Sequence, residues 1–318
     1  MKTRRKRNTR KFEMNSISVS PVYPILSISN DFFIDLGRTH ILNKPLEQVI
    51  SKTWLHNDGC DIFIIGEEHG IRNGKCNGIY DMFVDIIHEI NRSDIKPNID
   101  IMIEITASQV SDMKDSLSAD LSKRANILRR KLTDMRQLNM IRKLFVNCIK
   151  YKHCPMKAHW IDSNMNKSKR LPPWINELYN AHLNEKDWSQ TPSISAELTN
   201  KRSLLKLLTS NGIVTKEIEK AEKINPTFTL KFAESLFAKM IVDYSSKYSK
   251  ETTVFHSFRA IMDFYTVARI IKSEMKHVIV YVGNNHAERI SHILQQLGFE
   301  LREKATNPQC VILGREKN

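Results

Sequence analysis

The sequence predicts an α/β fold with a mainly parallel central sheet, helices on its flanks and a helical insertion that serves as a lid or cap. Three apolar runs, DIFIIG, NIDIMIEI and HVIVYVG, have the length and continuity of strands that are buried on both faces. Amphipathic helical patterns separate these runs along the chain. An alternation of buried strands and helices is typical of a parallel sheet.

The first 60 residues precede this pattern. Residues 1–12 carry seven Lys and Arg, which equals half of the formal net charge of +14. A block of like charges repels itself and buries no apolar surface. We therefore expect a disordered, solvated tail, with a nuclear-localisation or nucleic-acid-binding patch as the alternative. Residues 13–60 are predicted as an irregular extension that ends in a short helix, beginning at KPLEQVISKTWL.

Residues 61–318 are predicted as the α/β domain. DIFIIG is its first strand, NGIYDMFVDIIHEINR is a helix with one apolar face, and NIDIMIEI is the second strand. A basic helical region over residues 121–150 leads to MKAHWID, which is predicted as a third strand. The order strand, helix, strand, helix, strand favours parallel pairing within the sheet.

The middle of the chain interrupts this order. Residues 163–225 contain KSKRLPPWINE, TPSIS and several short helical patterns, which predict the helical insertion. Two longer helices are predicted over residues 226–248 and 252–275, after which HVIVYVG returns to the sheet. The chain then closes with a helix, HAERISHILQQLGF, and two strands, FELREKAT and QCVILG.

Cysteine content and hydropathy indicate the compartment. The five cysteines are an odd number without regular spacing, and the basic start is not followed by the apolar segment of a signal peptide. Both features favour a reducing, intracellular location over secretion. No uncharged apolar stretch approaches the roughly 18 residues that a membrane span needs. We therefore expect a soluble protein.

Two similar motifs follow two of the predicted strands. GEEHG begins at Gly66, directly after DIFII, and GNNHAERI begins at Gly283, directly after HVIVYV. Loops that follow parallel strands lie at the carboxyl edge of the sheet, where ligands bind. We therefore expect His69 and His286 to converge in one site, with glycines that supply the positive φ of sharp turns. A packed or capping role for either histidine is the alternative.

Carboxylates occur beside the same predicted strand ends. Glu104 ends NIDIMIEI and Glu67 lies within GEEHG. A buried acid is costly without a cationic or metal partner, although Glu104 at a strand end could also point to water. Histidine and carboxylate together suit a divalent metal with an open position, whose water becomes a nucleophile near neutral pH. The predicted metal ligands are therefore His69, His286, Glu104 and Glu67.

A predicted helix adds a charged pair. In FHSFRAIMDFYTVARI, Arg259 and Asp263 are four residues apart and share a helix face. The simpler interpretation is an ion pair on the surface. In a hydrolase, Arg259 would stabilise the negative charge that develops on oxygen in the transition state.

Taken together, these motifs resemble the superfamily of ChaN-like proteins, TraB, the Tiki proteases and the erythromycin esterases. The resemblance spans about residues 61–296 and rests on the strand followed by GExH, the acid that ends the second strand, the Arg–Asp helix and the strand followed by GxxH. It implies an α/β fold with the GxxH pair in the active site. The implied site residues are Gly66, Glu67, His69, Glu104, Arg259, Asp263, Gly283 and His286.

Activity differs among the members of this superfamily, which includes peptidases, esterases and haem-binding proteins. We expect a metal-dependent hydrolase of peptidase or esterase type that holds zinc, manganese or cobalt and acts on a peptide or small molecule. Two alternatives stay open: a protein that binds haem or metal without turnover, and a nucleic-acid-binding protein that acts through residues 1–12. The Lys, Ile and Asn content also resembles proteins of large DNA viruses, which would place the chain in the host cytoplasm or nucleus.

Overall fold

The computed structural model describes the central sheet and most of the helices around it. The described residues are 31–43, 46, 49–67, 78–94, 99–104, 144, 156–161, 201–273 and 276–306. Several predictions lie outside these ranges. They concern the basic tail of residues 1–12, His69, the helical region over residues 121–150 apart from residue 144, and the strand QCVILG.

Six strands of the described residues form one sheet in the order β4-β3-β5-β2-β1-β6. Their bounds are Val49–Asn57 (β1), Cys60–Glu67 (β2), Ile99–Ile103 (β3), Met156–Trp160 (β4), His277–Gly283 (β5) and Glu300–Thr306 (β6). The pairings of β4 with β3, β3 with β5 and β5 with β2 are parallel. Strand β1 pairs antiparallel with both β2 and β6. The α/β class is therefore as predicted, but the sheet is mixed and not mainly parallel.

The difference arises at β1, which covers most of the segment that was predicted as a short helix. Strands β1 and β2 are joined by Asp58 and Gly59, whose φ angles are 44° and 78°. Two central residues with positive φ are characteristic of the type I′ turn, whose twist matches that of an antiparallel hairpin. The helix prediction for this segment is wrong because cross-strand pairing outweighs the weak helical signal of KPLEQV.

Within the described part of the chain, residues 31–37 are α-helical and lead into a π-helical turn at Arg38–Leu42, and six further α-helices with defined bounds accompany the sheet. Their bounds are Ile79–Arg92 (α1), Lys201–Thr209 (α2), Gly212–Glu222 (α3), Leu230–Lys247 (α4), Lys250–Lys272 (α5) and Asn284–Gln296 (α6). Side-chain oxygens cap α4 and α5, because Thr229 accepts from the amide of Phe232 and Ser249 from that of Thr252. None of the described helices combines the length and apolar character of a membrane span.

Two apolar cores cover the two faces of the sheet. One core joins β2 and β5 to helices α2 to α6 through residues such as Ile64, Val280 and Phe264. The other core joins the same strands to α1 and the π-helical turn through residues such as Phe63 and Tyr281. Alternate side chains of each strand enter opposite cores, as the pleat of a β-strand requires. Within each strand, odd-numbered and even-numbered residues therefore face opposite sides of the sheet.

The predicted helical insertion over residues 163–225 is described only from residue 201 onward. This part forms α2 and α3, whose buried side chains, including Leu208 and Ile218, belong to the same core as α4 and α5. These two helices are thus packed into the helical layer on the sheet. Residues 163–200 lie outside the described ranges.

A buried polar pair lies at the amino ends of β2 and β5. His277 stacks on Phe33 with ring centroids 4.4 Å apart, and burial lowers the pKa of His277 to about 4, although neighbouring Asp61 acts in the opposite direction. Asp61 is itself buried and accepts a hydrogen bond of 2.9 Å from the indole N–H of Trp54. Nδ1 of His56 lies 3.0 Å from the same carboxylate oxygen. This end of the sheet therefore holds a histidine that stays neutral in mild acid.

We expect the free energy of unfolding to decrease as the pH falls from 6.5 toward 4. In this window the unfolded chain protonates His277, whereas the folded chain does not until the pH reaches about 4. Over this pH range, protonation of His277 in the unfolded chain lowers the free energy of unfolding by about 3 kcal/mol, because each pKa unit corresponds to roughly 1.4 kcal/mol. His277→Phe keeps an aromatic ring against Phe33 and removes the titration. Urea denaturation should therefore show a smaller loss for the variant, and equal losses in both proteins would contradict the assignment.

Candidate active site

Three parallel strands end together at the edge of the sheet where the candidate residues lie. Strand β5 is hydrogen-bonded between β3 and β2, and Glu67 at the end of β2 pairs with Gly283 at the end of β5. Glu104 follows β3 directly, and its amide donates to the carbonyl of Tyr281 at 3.2 Å. One carboxylate oxygen of Glu104 also accepts from the amide of Gly283 at 2.8 Å. The two strand-end motifs are therefore neighbours, and Glu104 is anchored between them.

His286 lies in the first turn of α6, immediately beyond β5. Its side chain is only 6% exposed. Its Nε2 atom lies 3.9 Å from Oε1 of Glu104, and its Nδ1 atom lies 2.6 Å from Oδ1 of Asp263 on α5. The structure thus brings together three of the predicted site residues, from β3, α5 and α6.

Asp263 is fully buried and is a charged centre of this cluster. Besides its contact with His286, it forms a salt bridge with Nε of Arg289, one turn further along α6. Burial opposes the charge of Arg289, but Asp263 raises the pKa of the guanidinium above its ordinary value. The surface ion pair considered for Asp263 is therefore wrong. Its described partners are His286 and Arg289.

Arg289 was not among the residues predicted from the sequence. A signal for it exists in HAERI, because a residue three positions after His286 lies on the same helix face. The side chain of Arg289 also interacts with the hydroxyl of Tyr244 on α4. Burial raises the pKa of that hydroxyl, with Arg289 acting in the opposite direction. Arg289 therefore connects the Asp–His pair to the outer helix.

The short contact between His286 and Asp263 determines where the imidazole carries its proton. A carboxylate has no proton to donate at neutral pH, so the 2.6 Å contact places a proton on Nδ1. Arg289 Nη2 lies 3.0 Å from the same nitrogen, but the anionic carboxylate is the stronger partner for an N–H group. In the neutral ring, Nε2 then carries the lone pair, on the side of the ring nearer to Glu104.

Glu67 is placed differently from Glu104. A Cβ atom on Gly66 would lie 2.8 Å from Asn284 Oδ1 and 2.9 Å from Ala287 Cβ, so Gly66 faces α6. Strand alternation then turns its neighbour Glu67 toward the opposite face of the sheet, where it is buried. Of the two predicted carboxylates, Glu104 is therefore the one on the side of His286.

The glycines of the two motifs serve close packing. At Gly66 a side chain would also meet Ser51 Oγ at 2.5 Å, a distance at which atoms of the sheet would have to move. Gly283 has φ −61° and ψ 149°, an ordinary extended conformation. Among the described glycines, positive φ occurs at Gly59 and Gly298. The expected positive φ at the motif glycines is therefore wrong, and the small size of Gly66 is what α6 requires.

Arg259 lies one helical turn before Asp263 on α5, and it is partly exposed. Burial lowers the pKa of His256 on the same helix, and the charges of Arg289, Arg259 and His286 lower it further. The ring of His256 lies between Tyr244 and Tyr248, with centroids 5.4 and 4.8 Å away. Arg259 thus adds a positive charge to the region around the Asp–His pair.

Two of the four predicted metal ligands, His286 and Glu104, lie close together in the structure. Zinc ligands at tetrahedral positions, with bonds of about 2.0–2.1 Å, lie roughly 3.3 Å apart, somewhat closer than the 3.9 Å between His286 and Glu104. The contact of His286 Nδ1 with a carboxylate is also common among metal-bound histidines. However, no group of three or more metal-binding side chains occurs among the described residues. The second predicted histidine, His69, lies outside them.

The chain was also compared with known proteins. No protein-family model matches it, and neither does any curated protein or solved structure.

Proposed function

We propose that this protein is a hydrolase in which His286 activates a water molecule at the carboxyl edge of the sheet. The observation that carries the proposal is the buried pair of His286 and Asp263, with Nδ1 and Oδ1 2.6 Å apart. A carboxylate that holds a histidine in one tautomer is the arrangement by which many hydrolases obtain a general base. Glu104 lies beside the lone pair of Nε2 and supplies a second acceptor for the same water.

The residues around His286 have distinct roles in this proposal. His286 takes the proton of the attacking water on Nε2, and Asp263 stabilises the imidazolium that forms. The proton then passes to the leaving group, which restores neutral His286. Arg259 stabilises the oxyanion that develops on the substrate. Arg289 holds Asp263 in place through its salt bridge.

A divalent metal is the second form of the same proposal. His286 and Glu104 would hold zinc, manganese or cobalt together with His69. The ion would lower the pKa of its bound water. The described residues alone offer fewer donors than the three protein ligands that a catalytic zinc site uses. The proposed proton transfers and the stabilisation of charge therefore depend only on side chains of this protein.

Hydrolysis of a mixed panel of fluorogenic peptides and aryl esters tests the function directly. We expect turnover of at least one class, measured with and without chelator and with added zinc, manganese or cobalt. Activity that survives chelation favours His286 as the base, whereas activity restored by one metal favours the metal form. Elemental analysis and absorbance of the purified protein complete the test. A Soret band without hydrolysis of any panel member would contradict the proposal and favour haem binding.

Arg259→Met separates turnover from binding. Methionine keeps much of the length of the side chain and removes the charge that the oxyanion requires. We expect turnover to fall on the order of 10²-fold, the usual effect of removing one such donor, while metal content and melting temperature stay close to wild type. Arg302→Met on β6, whose side chain is 43% exposed, is the matched control and should keep full activity. Wild-type turnover in Arg259→Met would show that this arginine is structural.

A further inference from the structure

A second polar site lies on the other side of α6, between this helix and strands β1 and β6. A cavity of about 400 Å³ opens there. The described residues that line it are Ser51, Thr53, Glu288, Ser291, His292, Gln295, Leu301 and Lys304. This volume falls within the range of small-molecule sites, about 300–1,000 Å³.

Helix geometry separates this cavity from the Asp–His pair. Residues 284, 288, 291 and 295 recur at intervals of three and four and so share one face of α6. His286 and Arg289 lie on the opposite face, toward α5. Glu288 and Gln295 on the cavity face are exposed, whereas Ser291 between them is buried. The cavity is therefore reached from the solvated face of α6, and the buried residue on this face is Ser291.

A buried hydroxyl points to a ligand in the cavity. Ser291 is 7% exposed, and its Oγ atom makes no hydrogen bond within the part of the chain that the structure describes. A buried polar atom without a partner is destabilising, and native proteins normally satisfy such atoms with protein, water or ligand. Ser291 lines the cavity, so its hydroxyl can reach a molecule bound there through a change of the χ1 rotamer.

The lining indicates the chemistry of that molecule. Seven of the eight described lining residues are polar, and their formal charges, one Glu and one Lys, cancel when His292 is neutral. Hydroxyl, amide, carboxylate and ammonium groups together offer both donors and acceptors. A hydroxyl-rich molecule matches such a set because each of its hydroxyls donates and accepts. We propose that this cavity binds a neutral polyol or monosaccharide, at a site distinct from the hydrolytic one.

Isothermal titration calorimetry on the full chain tests this proposal with four titrants: glucose, myo-inositol, glutamine and inorganic phosphate. We expect saturable heat with glucose or myo-inositol, and none with the zwitterion or the anion. Ser291→Ala removes only the hydroxyl and should weaken polyol binding about tenfold, the effect of one lost hydrogen bond. Gln295→Ala, at an exposed position, should also weaken binding without disturbing the fold.

The matched control is Ser246→Ala on α4, an exposed residue that does not line the cavity and whose hydroxyl donates to the carbonyl of Asp243. This variant should bind the polyol as the wild type does. If only glutamine or phosphate produced heat, the assignment of the ligand as a neutral polyol or monosaccharide would be wrong. Absence of heat from every titrant would mean that water alone fills the cavity. If Ser246→Ala and Ser291→Ala weakened polyol binding equally, the polyol would not bind in this cavity.

Discussion

His286→Gln is expected to lower kcat/KM toward any substrate found in the hydrolysis panel by about 10²–10⁴-fold, the range for loss of a general base. Glutamine keeps an N–H donor for Asp263, so the buried carboxylate retains a partner. It cannot take up a proton, so the acidic limb of the pH–rate profile should disappear from the residual activity. Stopped assays across the pH range of the folded protein measure both effects.

The matched control for this substitution is His88→Gln on α1, an exposed histidine on the other side of the sheet. It should retain wild-type kinetics. This result would show that the loss of a histidine does not by itself lower kcat/KM. A thermal melt of His286→Gln separates a lost base from a lost fold. If the variant keeps the rate and the pH profile of the wild type, His286 is not the base and the proposed mechanism fails.

Asp263→Asn is expected to reduce the free energy of unfolding by about 3–5 kcal/mol, the range for breaking a buried ion pair from one side. Asparagine has nearly the same shape, but it leaves the guanidinium of Arg289 without a buried counter-charge. Asp263 is fully buried and the Arg289 side chain is only 12% exposed, so water cannot readily compensate. Urea denaturation gives the difference in free energy.

Two further variants make this prediction specific. Asp243→Asn performs the same chemical change in the exposed pair of Asp243 and Lys247 on α4, and it should have little measurable effect. The double variant Asp263→Asn/Arg289→Met removes both buried charges, and it should be more stable than Asp263→Asn alone. A single variant as stable as the wild type would show that Asp263 is not a required counter-ion in the folded protein.

Much of the sheet could be predicted because its central strands are continuous apolar runs. Strands β2, β3 and β5 are buried on both faces, and such strands are distinctive in sequence when Gly or polar residues end them. Strand β1 was missed because VISKTWLHN mixes polar and apolar residues. The turn residues Asp58 and Gly59 in HNDGCD were a usable signal for an antiparallel hairpin, since Asp-Gly is a favoured type I′ pair.

The candidate site could be predicted only in its parts. The positions of Glu104 and His286 follow from strand ends and helix starts, which are local properties of the chain. The contact of Asp263 with His286 depends instead on how α5 and α6 are rotated against each other, and no local pattern specifies that rotation. Arg259 is a plausible partner for Asp263 in the sequence because it lies one helical turn earlier. In the structure, the counter-ion of Asp263 is Arg289, which lies on another helix.

The position of β5 in the middle of the sheet has a consequence for how the protein is made. As the chain leaves the ribosome, β1 with β2 and β3 with β4 can form only two separate half-sheets, each with an open edge. Residues 277–283 join these halves, and among the described strands only β6 is synthesised later. Glu104 belongs to one half, whereas His286 follows the joining strand directly. The sheet and the candidate site are therefore completed by the same closing segment, and a nascent chain that stops at Lys272 has neither.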